Sequence, residues 1–350
     1  MEHLENNKLL SNTQHGFRKG LSTETALMKL TDEIYKNIHN KKISLLILCD
    51  LLKAFDSVNH MKLLSTFKEL YIDIFWFDNY LQDRVQAVRL GEVKSSFEKV
   101  EFGIPQGSVL GPVLFLIYIN DMVKCINDCF LIQYADDSQV LLSDSVENLE
   151  TLKERAELVL LKIKEYFLRK GLLMNASKTQ CMFIGTSQYL NMIPNNIKIK
   201  CGNEEIISSN QVKNLGLYMD KHMTFNIHID EISRKVSGIL MYLNRIKDNF
   251  EDSTRVMIIQ SLVLSVINYG IKLWGATNDL YLNKAQKLMN FAARVAVVGV
   301  RKHDHISPTL QQLQWLKIKD KYTYEVCLFA FKVLEKEHPT GYTSFQTSVV

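Results

Sequence analysis

An apolar run from Ile43 to Leu48, interrupted only by Ser44 and followed closely by Asp50, constrains this chain more than any other feature. A run of that length suits a strand buried on both faces. A carboxylate at its end has no packing use unless it faces a site. The same form recurs downstream. Cys129 to Gln133 and Ser138 to Leu142 read as two short apolar strands, and Tyr134-Ala135-Asp136-Asp137 lies between them as a hairpin turn. Asp-Asp in a turn is ordinary turn chemistry. At the tip of an apolar hairpin, however, adjacent like charges repel unless a cation neutralises them. Three acids on two strand ends could hold two Mg²⁺ ions, since magnesium takes hard oxygen ligands from a few carboxylates plus substrate phosphates.

The rest of the chain falls into order around these strands. Asn12 to Gly20 reads as a polar loop. Ser22 or Thr23 then caps a helix carrying Ala26, Leu27, Leu30, Ile34 and Ile38 at helical spacing. His60 to Asp83 is helical in two pieces, and Val85–Leu90 with Ser95–Val100 form a hairpin around Gly91. A loop from Gly103 to Gly111 runs into an apolar helix over Val113–Ile119. A long amphipathic helix bears Leu149, Leu152, Ala156, Val159, Ile163 and Phe167 on one stripe and ends at Gly171. Strands alternate with helices to about Tyr218, and from about His228 the pattern is helical.

Composition narrows the class. With 47% hydrophobic and 23% charged residues over 350 positions, the chain is an ordinary folded one. Disordered, collagen-like and disulfide-scaffold classes are excluded. The six cysteines form no CxxC pair or zinc spacing and read as reduced thiols of an intracellular protein. No charged-then-apolar leader opens the chain, and the longest apolar run, Val109–Ile119, falls short of the roughly 20 residues a bilayer span needs. No membrane role is expected. The net charge of +4 is unevenly spread: from Ile232 onward there are 16 Lys and Arg against 9 Asp and Glu. A basic C-terminal third suits a polyanion as well as a solvated surface.

Six segments together resemble one family. Leu48-Cys49-Asp50-Leu51-Leu52-Lys53-Ala54-Phe55-Asp56 resembles motif A of reverse transcriptases. Gly103-Ile104-Pro105-Gln106-Gly107-Ser108-Val109-Leu110-Gly111-Pro112 is similar to motif B, and Tyr134-Ala135-Asp136-Asp137 to motif C. Asn175-Ala176-Ser177-Lys178-Thr179 is similar to motif D, Leu215-Gly216-Leu217-Tyr218-Met219-Asp220 to motif E, and Gln14-His15-Gly16-Phe17-Arg18-Lys19-Gly20 to a fingers motif. Each alone is weak; six in the family's order, over about residues 12–225, are specific. The wording is nearest to non-LTR retrotransposons of the jockey kind.

The resemblance implies an α+β right-hand polymerase. Partial fingers would occupy 1–45, and the palm 46–225 with a fingers insertion at about 60–102. A helical thumb and C-terminal region would follow over 226–350. It implies two Mg²⁺ ions, replaceable by Mn²⁺, held by Asp50, Asp136, Asp137 and the Leu51 carbonyl. Lys178 would donate a proton to the leaving pyrophosphate. Phe55 would be a steric gate against the 2′-OH of a ribonucleotide. Gln106 and Gly107 would meet the incoming nucleotide, and Arg18 and Lys19 would grip its triphosphate. Leu215, Gly216 and Tyr218 would form the primer grip. Trp274, Arg294 and the stretch from His305 to Leu316 are similar to the helical region that follows, where basic residues would hold the primer–template backbone. His303-Asp304-His305 reads as a polar loop between helices.

The implied partners are an RNA template, a DNA primer and dNTPs, and the implied place of work is nuclear chromosomal DNA. Cys49 and Leu52 depart from the more usual Leu and Ser of motif A. The chain is expected to be an N-terminally truncated copy lacking the endonuclease and the earliest fingers. Two readings follow: an active RNA-directed DNA polymerase, or a catalytically inactive relic that at most binds nucleic acid. A maturase or telomerase-like polymerase shares the chemistry but fits the motif wording less well.

Overall fold

The computed structural model describes residues 1–335. The chain divides into two compact units, one spanning Met1–Asn210 and the other beginning at Gln211. That division falls earlier than the 225/226 boundary expected from the resemblance, because the hairpin after Asn210 packs on the helix that follows it.

The first unit is built on a four-stranded antiparallel sheet. Strands β1 (Ile43–Cys49), β3 (Phe130–Tyr134), β4 (Asp137–Asp144) and β6 (Gln180–Ile184) stand in the order β6-β1-β4-β3. The apolar run is therefore the inner strand β1, paired on both edges, with Leu46 opposite Leu141 on one side and Met182 on the other. Its alternation sends Leu45 and Ile47 into the main core. Helix α1 (Thr23–His39), capped by Ser22 as expected, packs on β1 and β3. Asn37 of α1 bonds Ser44 of β1 at 3.1 Å and Ser143 of β4 at 3.2 Å, which satisfies a buried amide between helix and sheet.

Helices α2 (His60–Glu69), α3 (Phe75–Leu81), α4 (Gly111–Tyr118) and α5 (Leu149–Lys170) complete this unit. The expected stripe of α5 is buried at Leu152, Ala156, Val159, Ile163 and Phe167. Each of these except Ala156 contributes about 1.5–3 kcal/mol by leaving water. Two-residue strands β2 (Leu51–Leu52) and β5 (Leu173–Met174) pair beside the end of β1. The expected hairpin over 85–100 pairs only as two short exposed pieces, Val85–Gln86 with Glu98–Lys99 and Arg89–Leu90 with Val93–Lys94. A further hairpin joins β7 (Lys198–Cys201) to β8 (Glu204–Ile207).

The second unit opens with hairpin β9 (Gln211–Asn214) and β10 (Leu217–Asp220) and is otherwise helical. Its main helices are α6 (Asn226–Ile246), α7 (Asp252–Ile259), α8 (Asp279–Ala296) and α9 (Ile318–Leu334). Trp274 is fully buried and donates from Nε1 to the Tyr269 carbonyl at 2.9 Å. Arg294 binds the carbonyls of Arg301 and Asp304, and so closes the polar loop that contains His303. Among the described residues no helix is long and apolar enough to cross a membrane.

Candidate active site

The sheet brings the three expected carboxylates to one end. Cys49 stands opposite Ser138, so the next step of the β1–β4 register puts Asp50 level with Asp137. Tyr134 pairs with Asp137, which leaves Ala135 and Asp136 as a two-residue turn.

The electrostatics of the three acids agree with that placement. Burial pushes the Asp136 carboxyl upward, against its own backbone N–H, and the Asp50 charge adds to the rise. Asp137 is pushed up to about 6, first by burial and then by the charges of Asp136 and Asp50. Partly desolvated acids that raise one another form a site whose anionic state needs positive charge. Among the described residues no three His, Cys, Asp or Glu side chains converge into a ready-made metal cage. Such a donor set still fits Mg²⁺, which binds through one or two carboxylates and completes its shell with water and substrate phosphates.

The Asp50 main chain is fastened from the Lys178 turn. Asn175 N–H donates to the Asp50 carbonyl at 2.8 Å, and Asp50 N–H donates to the Thr179 hydroxyl at 3.4 Å. The Thr179 hydroxyl in turn donates to the Asn175 carbonyl at 2.8 Å. Lys178 itself is exposed on the turn so held. Leu51 begins β2 with its side chain buried, opposite Met174.

Phe55 lies in a single 3₁₀ turn, Phe55–Ser57, with its ring stacked on Phe115 of α4 at 4.5 Å between centroids. Its carbonyl accepts from Ile104 N–H at 2.9 Å, which ties it to the loop bearing Gln106. Gln106 donates from Nε2 to Asp56 at 2.9 Å. Gly107 has φ +80, and nothing lies within 4 Å of where its Cβ would stand. Backbone conformation and open space both suit close approach of a ligand there.

The Arg18 guanidinium is held by Glu5 at 2.6 and 2.8 Å and by the carbonyls of Ser11 and Gln14 at 2.7 and 3.1 Å. With its side chain only 9% exposed, it braces its own loop in this arrangement. Lys19, its neighbour, is exposed.

Leu215, Gly216 and Tyr218 are in the second unit, at the β9–β10 turn. Leu215 and Gly216 have φ +44 and +87, the backbone of a type I′ hairpin turn. The Leu215 carbonyl accepts from the Tyr269 hydroxyl. All three residues line a cleft of about 480 Å³, together with Lys213, Lys235 and Tyr269. Lys213 Nζ lies 5.2 Å from the Tyr218 ring centre.

Sequence reasoning did not single out Thr179, Asp56 or Phe115. Thr179 ended a recognised motif, but its bond to Asp50 spans 129 positions and leaves no local signal. Asp56 and Phe115 lay inside recognised segments without an evident task.

An antiparallel sheet end that bears three carboxylates is the kind of site that takes divalent cations and the phosphates they bind, as in enzymes that act on phosphate esters. The comparisons narrow that class to one family. Residues 1–219 match the family model for reverse transcriptase (RNA-dependent DNA polymerase), so the chain belongs to that family. It is 28% identical over 305 residues to a probable RNA-directed DNA polymerase from transposon BS of Drosophila melanogaster, covering 82% of this chain and 32% of that protein. It is 26% identical over 302 residues to the RNA-directed DNA polymerase from mobile element jockey of the same fly, covering 80% and 31%. The chain thus spans about a third of the length of these curated relatives. Among solved structures it is similar to telomerase from Candida tropicalis in complex with a fragment of telomeric RNA. That match has a TM-score of 0.42 and 14% identity, over 89% of this chain and 55% of that one.

Proposed function

We propose that this chain carries the nucleotidyl-transfer centre of an RNA-directed DNA polymerase of a non-LTR retrotransposon. It would extend a DNA primer on an RNA template from dNTPs, at nuclear chromosomal DNA. The observation that carries the reading is the placing of Asp50, Asp136 and Asp137 at one sheet end, where partial burial and mutual charge raise the two hairpin acids.

Asp50 and Asp136 would hold two Mg²⁺ ions, with Asp137 and the Leu51 carbonyl beside them. When bound, such ions activate the primer 3′-OH and neutralise charge on the phosphate under attack. The chain's own side chains do the rest. Phe55, propped by Phe115, closes the space below the sugar. Gln106, steadied by Asp56, faces the incoming nucleotide across the open backbone of Gly107. Lys178, exposed on the turn fastened to Asp50, offers a proton to the departing pyrophosphate. Leu215, Gly216 and Tyr218 would meet the primer, and the lysines of their cleft would meet its phosphates.

The test is extension of a labelled DNA primer on an RNA template with Mg²⁺, wild type beside Asp136→Asn. Wild type should add nucleotides, and the variant should bind primer–template equally well while losing at least about a thousandfold in rate. Extension by the variant at near wild-type rate would remove the carboxylate assignment. Binding without extension in both would instead support a relic.

A further inference from the structure

The polar loop before α1 does more than connect. Gln133 N–H donates to the Thr13 carbonyl and His15 N–H to the Gln133 carbonyl, both at 2.8 Å, so residues 13–15 run beside the end of β3. Where that pairing stops, the Gln14 side chain takes over. Its Oε1 accepts from Ala135 N–H at 3.0 Å and from Gly16 N–H at 2.8 Å. Its Nε2 donates to the Ala135 carbonyl at 3.3 Å. One amide, on a residue only 2% exposed, therefore closes both main-chain polar groups of the residue preceding Asp136.

Ala135 needs such help. Its φ of +54 is a left-handed conformation that an L side chain adopts at a cost. Strained positions of this kind persist only where the surroundings over-determine them. Packing adds to the hydrogen bonds, since a Cβ on Gly16 would stand 2.5 Å from the Ala135 nitrogen. The loop backbone thus lies against the turn at a distance that only glycine permits.

We propose that Gln14 is a positioning residue for nucleotidyl transfer: its buried amide, seated by Gly16, holds the strained Ala135 turn and thereby aims Asp136. The proposal rests on the polymerase reading above, and its consequence is kinetic. Loosening the turn misplaces Asp136 without touching the surfaces that bind nucleic acid or nucleotide.

The experiment uses the full chain with Gln14→Met, similar in length but unable to make the three bonds, and Gly16→Ala, which keeps the amide but forces the loop off the turn. In single-nucleotide extension, kcat should fall by about a hundredfold in each variant, as a misplacement near 1 Å can cause. The dNTP KM and primer–template Kd should stay within about twofold. Hydrogen exchange of the Ala135 amide, followed by NMR on ¹⁵N-alanine-labelled protein, should quicken at least about tenfold. A folded variant with wild-type kcat overturns the proposal, as does a loss of binding in proportion to rate. Should Gln14→Met fail to fold, Gly16→Ala decides. If wild type extends no primer while binding primer–template, the polymerase reading fails, and the exchange measurement alone then judges the clamp. Unchanged Ala135 exchange would refute it.

Discussion

Neutralising Asp137 should make the protein more stable, and only at the pH where it would otherwise be charged. Its carboxyl is raised from an ordinary 3.8 to about 6 by burial and by the charges of Asp136 and Asp50. The folded state therefore binds its proton more tightly than the unfolded chain does. The ionised form in the fold costs nothing below 3.8, where both states are protonated. The cost grows as pH rises from 3.8 to 6 and is complete above 6. At about 1.4 kcal/mol per pH unit, its unscreened size is about 3 kcal/mol. Asp137 is an exposed residue, so water screens much of this, and about 1 kcal/mol is the discounted expectation. In EDTA at pH 8, Asp137→Asn should raise Tm by about 2–4 °C for a domain of this size. At pH 4.5 the gap should be smaller, because part of the folded population then keeps the proton. Melting curves of both proteins at the two pH values measure the difference, from which carboxylates outside this cluster cancel. A gap no larger at pH 8 than at pH 4.5, or a variant less stable at pH 8, would refute the reasoning. Mg²⁺ added at pH 8 should raise the wild-type Tm more than that of Asp137→Asn, since the wild-type site gains the counter-charge it lacks.

Other parts of the site give further tests. On the proposed gate role, Phe55→Ala should lose about tenfold or more of its preference for dNTP over rNTP in extension assays, since the 2′-OH is what separates the two; unchanged preference would deny Phe55 the gate. Asp56→Ala should raise the dNTP KM severalfold, as loss of one hydrogen bond of about 0.5–1.5 kcal/mol would, while melting stays within a degree or two. An unchanged KM there would mean that Gln106 needs no partner. In the second unit, Arg255 is buried and donates to the carbonyls of Lys247, Phe250 and Ala296. Arg255→Met should cost about 3 kcal/mol or more in urea unfolding followed by tryptophan fluorescence, since three carbonyls lose their donor together; a loss below 1 kcal/mol would show that water replaces it.

The sequence revealed those elements whose signal is local. The both-face burial of β1 followed from its apolar run, interrupted only by Ser44, and the turn at Ala135-Asp136 followed from two apolar runs flanking polar residues. The extent of the 85–100 pairing was not legible: Val88, Leu90 and Val93 give a strand-like pattern, but all three are exposed, with no core to lengthen the ladder. The carboxylate partner of Arg18 was not legible either, because a basic loop residue has the same local appearance whether it faces a ligand or a carboxylate. Its partner Glu5 lies in the preceding short helix, Glu2–Asn6. Gln14 reads as loop polarity until its partner, 121 positions away, is seen. Periodicity reports which face of an element is buried; it does not report which distant backbone a polar side chain completes.

These long-range bonds share one form, and it bears on how the site keeps its shape. The acids repel one another, and Ala135 is held in a disfavoured conformation. Both terms push the sheet end toward opening. The bonds that oppose them end mostly on main chain: Asn175 and Thr179 on Asp50, Gln14 on Ala135, Ile104 on Phe55. Main-chain fastening leaves the reacting side chains free, which a centre that must engage cations and phosphates in turn requires. A repulsive cluster held this way can be relieved either by neutralising an acid or by loosening a clamp. The two routes separate stability from rate: the first should raise Tm while removing a carboxylate, and the second should lower kcat while leaving every carboxylate in place. Combining Asp137→Asn with Gln14→Met should therefore give stability changes that do not add, because the strain each one releases belongs to the same turn.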